Sequence, residues 1–198
     1  MAEKELIKKH KTALFIKDVD GEGVEEWVRV HHAPELVRNM NPEKEDVDYI
    51  GDEYPTTEVT GYKVGESLSV KTIKGNRDFD LVYKMYKARA VGPDAHRDVL
   101  TVSLFDEIQE GKYYSMVEDA TITVNEYNAS SSEISFDIDH NGTPTEGWTE
   151  IVDGKPVFHA GTPEASGGTD PDPNTDPDPN TDPDPNTDPD PNTDPSNP

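Results

Sequence analysis

The sequence predicts a mainly β protein, an antiparallel β-sandwich or closed barrel flanked by one α-helix. Three observations carry that expectation. Alternation with a period of two recurs along the chain and is cleanest at 131–139, where Ile134, Phe136 and Ile138 oppose Ser135, Asp137 and Asp139. Helical spacing is well marked once: Phe79, Val82, Tyr83, Tyr86 and Ala90 recur at intervals of three and four, and Leu81 and Met85 widen that face. Between these stretches, clusters of Gly, Asn, Asp and Pro separate roughly seven to nine strand-like runs. A single short helix with so broad an apolar face has to lie against a sheet.

Taken in order, residues 1–11 are charged and read as a flexible arm. Residues 12–17 (TALFIK) and 26–30 read as a hairpin across the turn 18–23. Asp18, Asp20 and Glu22 alternate in that turn, but the closing Glu of a calcium loop is missing, so a solvated turn is the expectation. Residues 33–61 are expected to be irregular, punctuated by Pro34, Pro42, Gly51, Pro55 and Gly61. Met40, Val47, Tyr49, Ile50 and Tyr54 lie in that segment, so it should pack on something, either its own domain or a neighbouring chain. Residues 62–74 read as a strand pair or one kinked strand with Leu68 and Val70 inward. The helix follows, with Asp78 as the expected cap, Lys84, Lys87 and Arg89 in its later turns, and a stop at Gly92-Pro93. A strand at 99–105 should turn one face inward through Leu100, Val102 and Leu104. Ala120, Ile122 and Val124 mark the next strand, a turn is expected at Asn141-Gly142, and a last strand region covers 148–158.

Composition divides the chain into an expected β domain at 1–160 and a spacer at 161–198. From Thr169 onward, TDPDPN is repeated four times and followed by TDPSNP, a stretch with nine aspartates, 10 of the 17 prolines and no hydrophobic side chain. Such a segment cannot bury enough apolar surface to offset its ordering entropy, so an extended, disordered or polyproline-like linker is expected. Removing those nine aspartates from the net charge of −24 leaves −15 for the rest. A surface this acidic is a poor grip for nucleic acid, since phosphate binding relies on Lys and Arg. It is compatible with a surface that DNA passes without sticking. The chain has no cysteine, which rules out a disulfide framework, a thiolate metal site and a cysteine nucleophile. No apolar run approaches membrane-spanning length, and MAEKELIKKHK lacks the apolar stretch of a signal peptide, so synthesis and use in a cytoplasm, or export by a non-secretory route, is expected.

No catalytic constellation stands out. His31 and His32 are adjacent, and neighbours on a strand point to opposite faces, so the two are poorly placed to share an ion. No phosphate loop, nucleophile elbow or dinucleotide fingerprint is present in the sequence. The reading is of a non-enzyme with no catalytic residue, metal or cofactor.

Four stretches, in order, resemble one known family: TALFIKDVDGEG with EWVRV, DYIGDEYPTTEVTGYKVGESLSV, FDLVYKMYKARAVGPDA, and VDGKPVF, together spanning most of 12–158. The chain resembles the major tail tube proteins of long, non-contractile-tailed bacteriophages, which are similar in fold to the tube protein of type VI secretion. The resemblance implies a two-layer β-sandwich with one helix, six copies of which close into a ring. Rings then stack into a tube through which DNA passes during ejection. It also implies tape measure, tail terminator and distal tail proteins as partners, no membrane, and residence in the virion tail after assembly in the host bacterial cytoplasm. In the family the long loop reaches a neighbouring subunit or ring. That makes Met40, Val47, Tyr49, Ile50, Tyr54, Pro55, Thr56 and Thr57 the candidate contacts here. The residues lining the lumen are not nominated. The repeat departs from the basic family module and is expected to project from the tube exterior. The alternative is a non-enzymatic β-sandwich binding module of a surface protein, with the acidic Pro-rich segment as its spacer. Deleting 162–198 is expected to leave the melting temperature unchanged, because the repeats bring no apolar side chain to pack; a large drop in a calorimetric scan would refute this.

Overall fold

The computed structural model describes residues 6–19, 23–51 and 53–163. The expected spacer with its TDPDPN repeats lies outside these residues, apart from its first three. The elements are β1 (Thr12–Val19), β2 (Glu25–Arg29), β3 (Arg38–Asn39), β4 (Pro42–Val47), β5 (Thr56–Tyr62), β6 (Gly65–Lys71), α1 (Arg77–Ala88), β7 (His96–Gln109), β8 (Lys112–Asn128), β9 (Glu133–Val152) and β10 (Lys155–Ala160). Eight strands form one antiparallel sheet in the order β2-β1-β7-β8-β9-β6-β3, with β10 beside the second half of β9. β4 and β5 form a separate two-stranded sheet. The mainly β class with one helix is therefore what the chain adopts.

Both faces of the main sheet are covered. β1 reads Ala13-Leu14-Phe15-Ile16, four consecutive buried residues, because its alternate side chains enter different cores. Leu14 and Ile16 join Val28, Leu68, Val70, Val99, Ala120, Ile122, Ile134, Phe136, Ile138 and the helix in the larger core. Ala13 and Phe15 join Leu100 and Val102 in the smaller one, with Leu104, Tyr113, Val117 and Phe158 packed around them. Strands from one end of the sheet to the other thus feed a single larger core, and the helix touches both β2 and β6. Only a strongly curled sheet permits this. The backbone N–H of Lys71 at the end of β6 donates to the His32 carbonyl just beyond β2 at 3.4 Å, which brings the two sides of the curl together.

Several local expectations are corrected. The segment 33–61 is not irregular throughout: most of it is the β4–β5 hairpin, which regular backbone pairing organises despite its prolines and acids. Asn141-Gly142 is not a hairpin turn. β9 runs through it for 20 residues, and the mismatch is absorbed as a bulge, with Asp119 opposite Asn141 but Val117 opposite Thr145 and Gly142 at φ 68°. The strand expected at 148–158 is instead the end of β9, a turn at Asp153-Gly154, and β10. Gly147 is needed where these strands meet, since a Cβ there would come within 2.1 Å of the His159 carbonyl oxygen.

The helix ends differ too. Asp78 is not the cap; Asn76 holds that position and Asp78 lies in the first turn, buried. Its Oδ2 accepts the backbone N–H groups of His31 (3.1 Å) and His32 (2.8 Å), and Oδ1 accepts that of Phe79 (2.9 Å). His32 Nδ1 lies 3.0 Å from the same carboxylate. One carboxylate therefore ties the exit of β2 to the start of α1. The helix stops at Arg89, in the left-handed region at φ 49°, before Gly92 is reached. Of the expected packing face, Phe79 and Val82 are buried, and Tyr83 and Ala90 are partly buried against the core, Ala90 from beyond the helix end. Tyr86 is exposed, its ring against Tyr83 and Tyr127 at 5.8 and 5.7 Å.

Burial alone would raise the Asp78 pKa, but the N–H groups of His32, the His32 ring, Phe79 and His31 outweigh it and hold the carboxyl below its usual value. A depressed folded-state pKa contributes stability that is present above the unfolded value and lost as pH falls through the folded one. Asp78→Asn should therefore lower stability at neutral pH by about 2 kcal/mol. It should also flatten the loss of stability in acid below about pH 4. Urea melts across pH check this, and an unchanged acid slope would refute it.

Candidate functional site

Two features carry the polar and apolar chemistry that the cores leave unused. The first lies largely inside. Along four strands, the row facing the larger core continues two residues past its last apolar member and becomes polar: Leu68 to Glu66, Ala120 to Glu118, Ile138 to His140, and Val99 to Thr101. Glu66, Glu118 and Thr101 meet Arg38 of β3, and His140 joins them through the two carboxylates. Arg38 Nη2 donates to Glu118, Nη1 lies 3.6 Å from Glu66 Oε1, and Nη1 donates to Thr101 Oγ1 at 3.3 Å. His140 Nε2 meets Glu66 Oε2 at 2.9 Å, while Nδ1, 3.2 Å from Glu118 Oε2, is not aligned for a hydrogen bond.

Two carboxylates beside a histidine are the raw material of acid–base catalysis. Here Glu66 and Glu118 are only 3% and 5% exposed and both are engaged by the guanidinium. The arrangement fastens five strands of the curled sheet, with its carboxylates engaged by groups of the same chain. Removing one member of such a cluster strands the others. Arg38→Met should therefore cost about 3 kcal/mol of stability. Chemical denaturation measures it, and a loss near zero would mean that the cluster is incidental.

The second feature projects outward. The β4–β5 hairpin is closed at its base by reciprocal bonds between Asn41 and Lys63: Lys63 N–H donates to the Asn41 carbonyl at 3.1 Å, and Asn41 Nδ2 to the Lys63 carbonyl at 3.0 Å. Lys63 also pairs with Glu43 at 2.7 Å, and this hydrogen bond raises the lysine pKa. Thr57 Oγ1 donates to Asp46 at 2.7 Å near the far end. Neither core includes any residue of the hairpin. Glu45 faces Glu58 directly across the ladder, a like-charge pair that opposes its formation. A two-stranded hairpin without a packed face is marginal in water.

Of the candidate contacts, Val47, Pro55, Thr56 and Thr57 sit where the strands lead into the tip, with Val47 opposite Thr56. Tyr49, Ile50 and Tyr54 crown it: Ile50 is fully exposed, Tyr54 73% and Tyr49 51% exposed. Met40 is also exposed but lies at the base, apart from the rest. Val59 and Tyr62 add exposed apolar surface on the opposite strand that sequence reasoning missed. Once the segment is taken as a strand, the β-branched and aromatic types at these positions are the available signal.

No protein-family model matches the chain, and no curated protein matches its sequence. Among solved structures, a chain in the six-fold symmetrised cryo-EM structure of the anti-feeding prophage baseplate is similar. The overlap covers 73% of this chain and 97% of that chain at 7% identity, with a TM-score of 0.38. A likeness of that degree leaves function to be argued from this chain's own residues.

Proposed function

We propose that the chain is a structural subunit that assembles with copies of itself, as a tail tube protein does: six copies in a ring, rings stacked, and a conduit through which DNA travels. The observation that carries this reading is the β4–β5 hairpin. It places Tyr49, Ile50 and Tyr54 in water, gains nothing from either core, and sets Glu45 against Glu58. An apolar tip of this kind makes physical sense when another surface covers it. The charge of −15 that remains without the nine repeat aspartates supports the conduit, because acidic walls repel DNA phosphates and allow sliding without capture. On this reading the protein belongs to the virion tail, meets tape measure, terminator and distal tail proteins at its ends, and needs no cofactor.

The double substitution Tyr49→Ala with Tyr54→Ala tests it. Circular dichroism and melting temperature should match the unmodified chain, since neither side chain is buried in the subunit. Losing two aromatic anchors should weaken each contact by about 2–4 kcal/mol. Light scattering and negative-stain microscopy across concentration would show rings or tubes receding in the variant. Tubes formed by the variant as readily as by the unmodified chain would overturn the role given to the hairpin.

A further inference from the structure

Beside the C-terminal end of α1 lies a cleft of about 720 Å³, with Ile122 and Val124 of β8 on one side and Met85, Tyr86, Ala90 and Val91 on the other. Tyr86 and Val91 are exposed there, so the cleft offers apolar surface to whatever enters it. Two observations bear on what it could receive.

Charge is the first. Lys87 and Arg89 line the cleft, and no ion pair to either is found among the described residues of a chain with 42 acids against 18 Lys and Arg. Lys87 Nζ rests over the Tyr83 ring at 5.0 Å. On the same helix, Arg77 is paired with Glu26, and Lys84 with Asp18 at 3.0 Å. Backbone strain is the second. Arg89 ends the helix in the left-handed region at φ 49°, a position where glycine is the low-cost residue. An arginine here keeps a cation at the cleft and accepts strain to do so, which is a mark of functional positions.

We infer that this cleft receives the tip of the β4–β5 hairpin from a second copy of the chain. The inference rests on the self-assembly reading and names the acceptor surface for it. Donor and acceptor are complementary in kind. The tip brings Tyr49, Ile50 and Tyr54 together with the exposed carboxylates of Asp48 and Glu53. The cleft brings an apolar lining together with two cations for which no ion pair is found among the described residues. Six residues of β4 project the tip by roughly 20 Å, far enough to leave its own subunit. A rival acceptor exists in the smaller cleft of about 490 Å³ beside Leu6, Ile7 and Phe105, which also carries lysines.

The absence of native cysteine makes the test direct. Full-length Ile50→Cys is mixed with full-length Thr123→Cys, Thr123 being an exposed residue lining the cleft. The mixture is allowed to assemble and treated with a short bismaleimide, and cross-linked peptides are identified by mass spectrometry. A 50–123 link between chains is expected. In parallel, Lys87→Glu with Arg89→Glu should raise the concentration needed for assembly by about tenfold, and Asp48→Lys with Glu53→Lys on the same chain should restore it. Circular dichroism confirms that each variant is folded. If the unmodified chain assembles, yet position 50 links to Phe105→Cys rather than to 123 and the charge reversal has no effect, the cleft assignment is overturned and self-assembly stands. If the unmodified chain stays monomeric at every concentration, both readings fall.

Discussion

In a flat antiparallel sheet, β3 and β7 would stand four strand spacings apart, about 19 Å. An arginine cannot bridge that gap. Yet Arg38 of β3 donates to Thr101 of β7 at 3.3 Å and to Glu118 of β8. The sheet must therefore curl, and much else in the molecule depends on that curl. It lets strands from both sides of the sheet contribute to one core around Phe136 and Ile122, and it leaves a groove that the helix fills through Phe79, Leu81, Val82 and Met85. Apolar burial drives the curl, while the ionic cluster selects its geometry. Buried carboxylates tolerate no slip in register, because a one-residue shift would turn Glu66 or Glu118 to the other face and leave Arg38 alone.

Asp78 does the comparable task at the other side of the larger core. By accepting N–H groups from His31 and His32 it fixes where β2 releases the chain, and through Phe79 it fixes where the helix begins. Lys84 then ties the next turns of the helix to Asp18 and to the Val19 carbonyl at the end of β1. The helix is thus pinned by charged bonds at its N-terminal end and middle, whereas the contacts described at its C-terminal end are apolar packing, tyrosine rings and the backbone bonds that close it. At that end Lys87 and Arg89 have no ion pair among the described residues, and Lys87 rests over the Tyr83 ring.

What the sequence made legible follows from the range of the forces involved. The runs Ile134-Phe136-Ile138 and Ala120-Ile122-Val124 are local patterns, and they placed the strands and their inward faces correctly. The helix was legible for the same reason. The ionic cluster was not, because Glu66, Glu118 and His140 read as the polar ends of their strands until Arg38, distant in sequence, shows that they share an interior. Asp78 has the residue type of a cap, but its partners lie 46 and 47 positions away, beyond any capping motif. Residues 42–47, PEKEDV, have almost no strand propensity, and only pairing with β5 makes them a strand. At Asn141-Gly142 the local turn signal is genuine, but continued pairing of β8 with β9 on both sides reduces it to a bulge. Tyr49, Ile50 and Tyr54 are exposed, and the backbone that carries them, expected to be irregular, is largely a paired hairpin.

The subunit therefore divides its polar chemistry in two. Arg38, Lys17, Lys84 and Arg77 are each bound to carboxylates of their own chain, where they hold the fold together. The acids that remain are spread over a surface that repels its own copies, so assembly requires contacts strong enough to overcome that repulsion. Exposed aromatic residues at the end of a narrow hairpin meet this need better than a broad flat face would. They concentrate apolar contact in a small area and leave most acidic surface apart. Because the hairpin and any cleft that receives it are different parts of the same molecule, such a contact is heterologous. A heterologous contact cannot stop at two copies: each addition leaves one donor and one acceptor open, until a ring closes or a filament grows. On the proposed reading, a hairpin that neither core of its own chain covers would favour such growth.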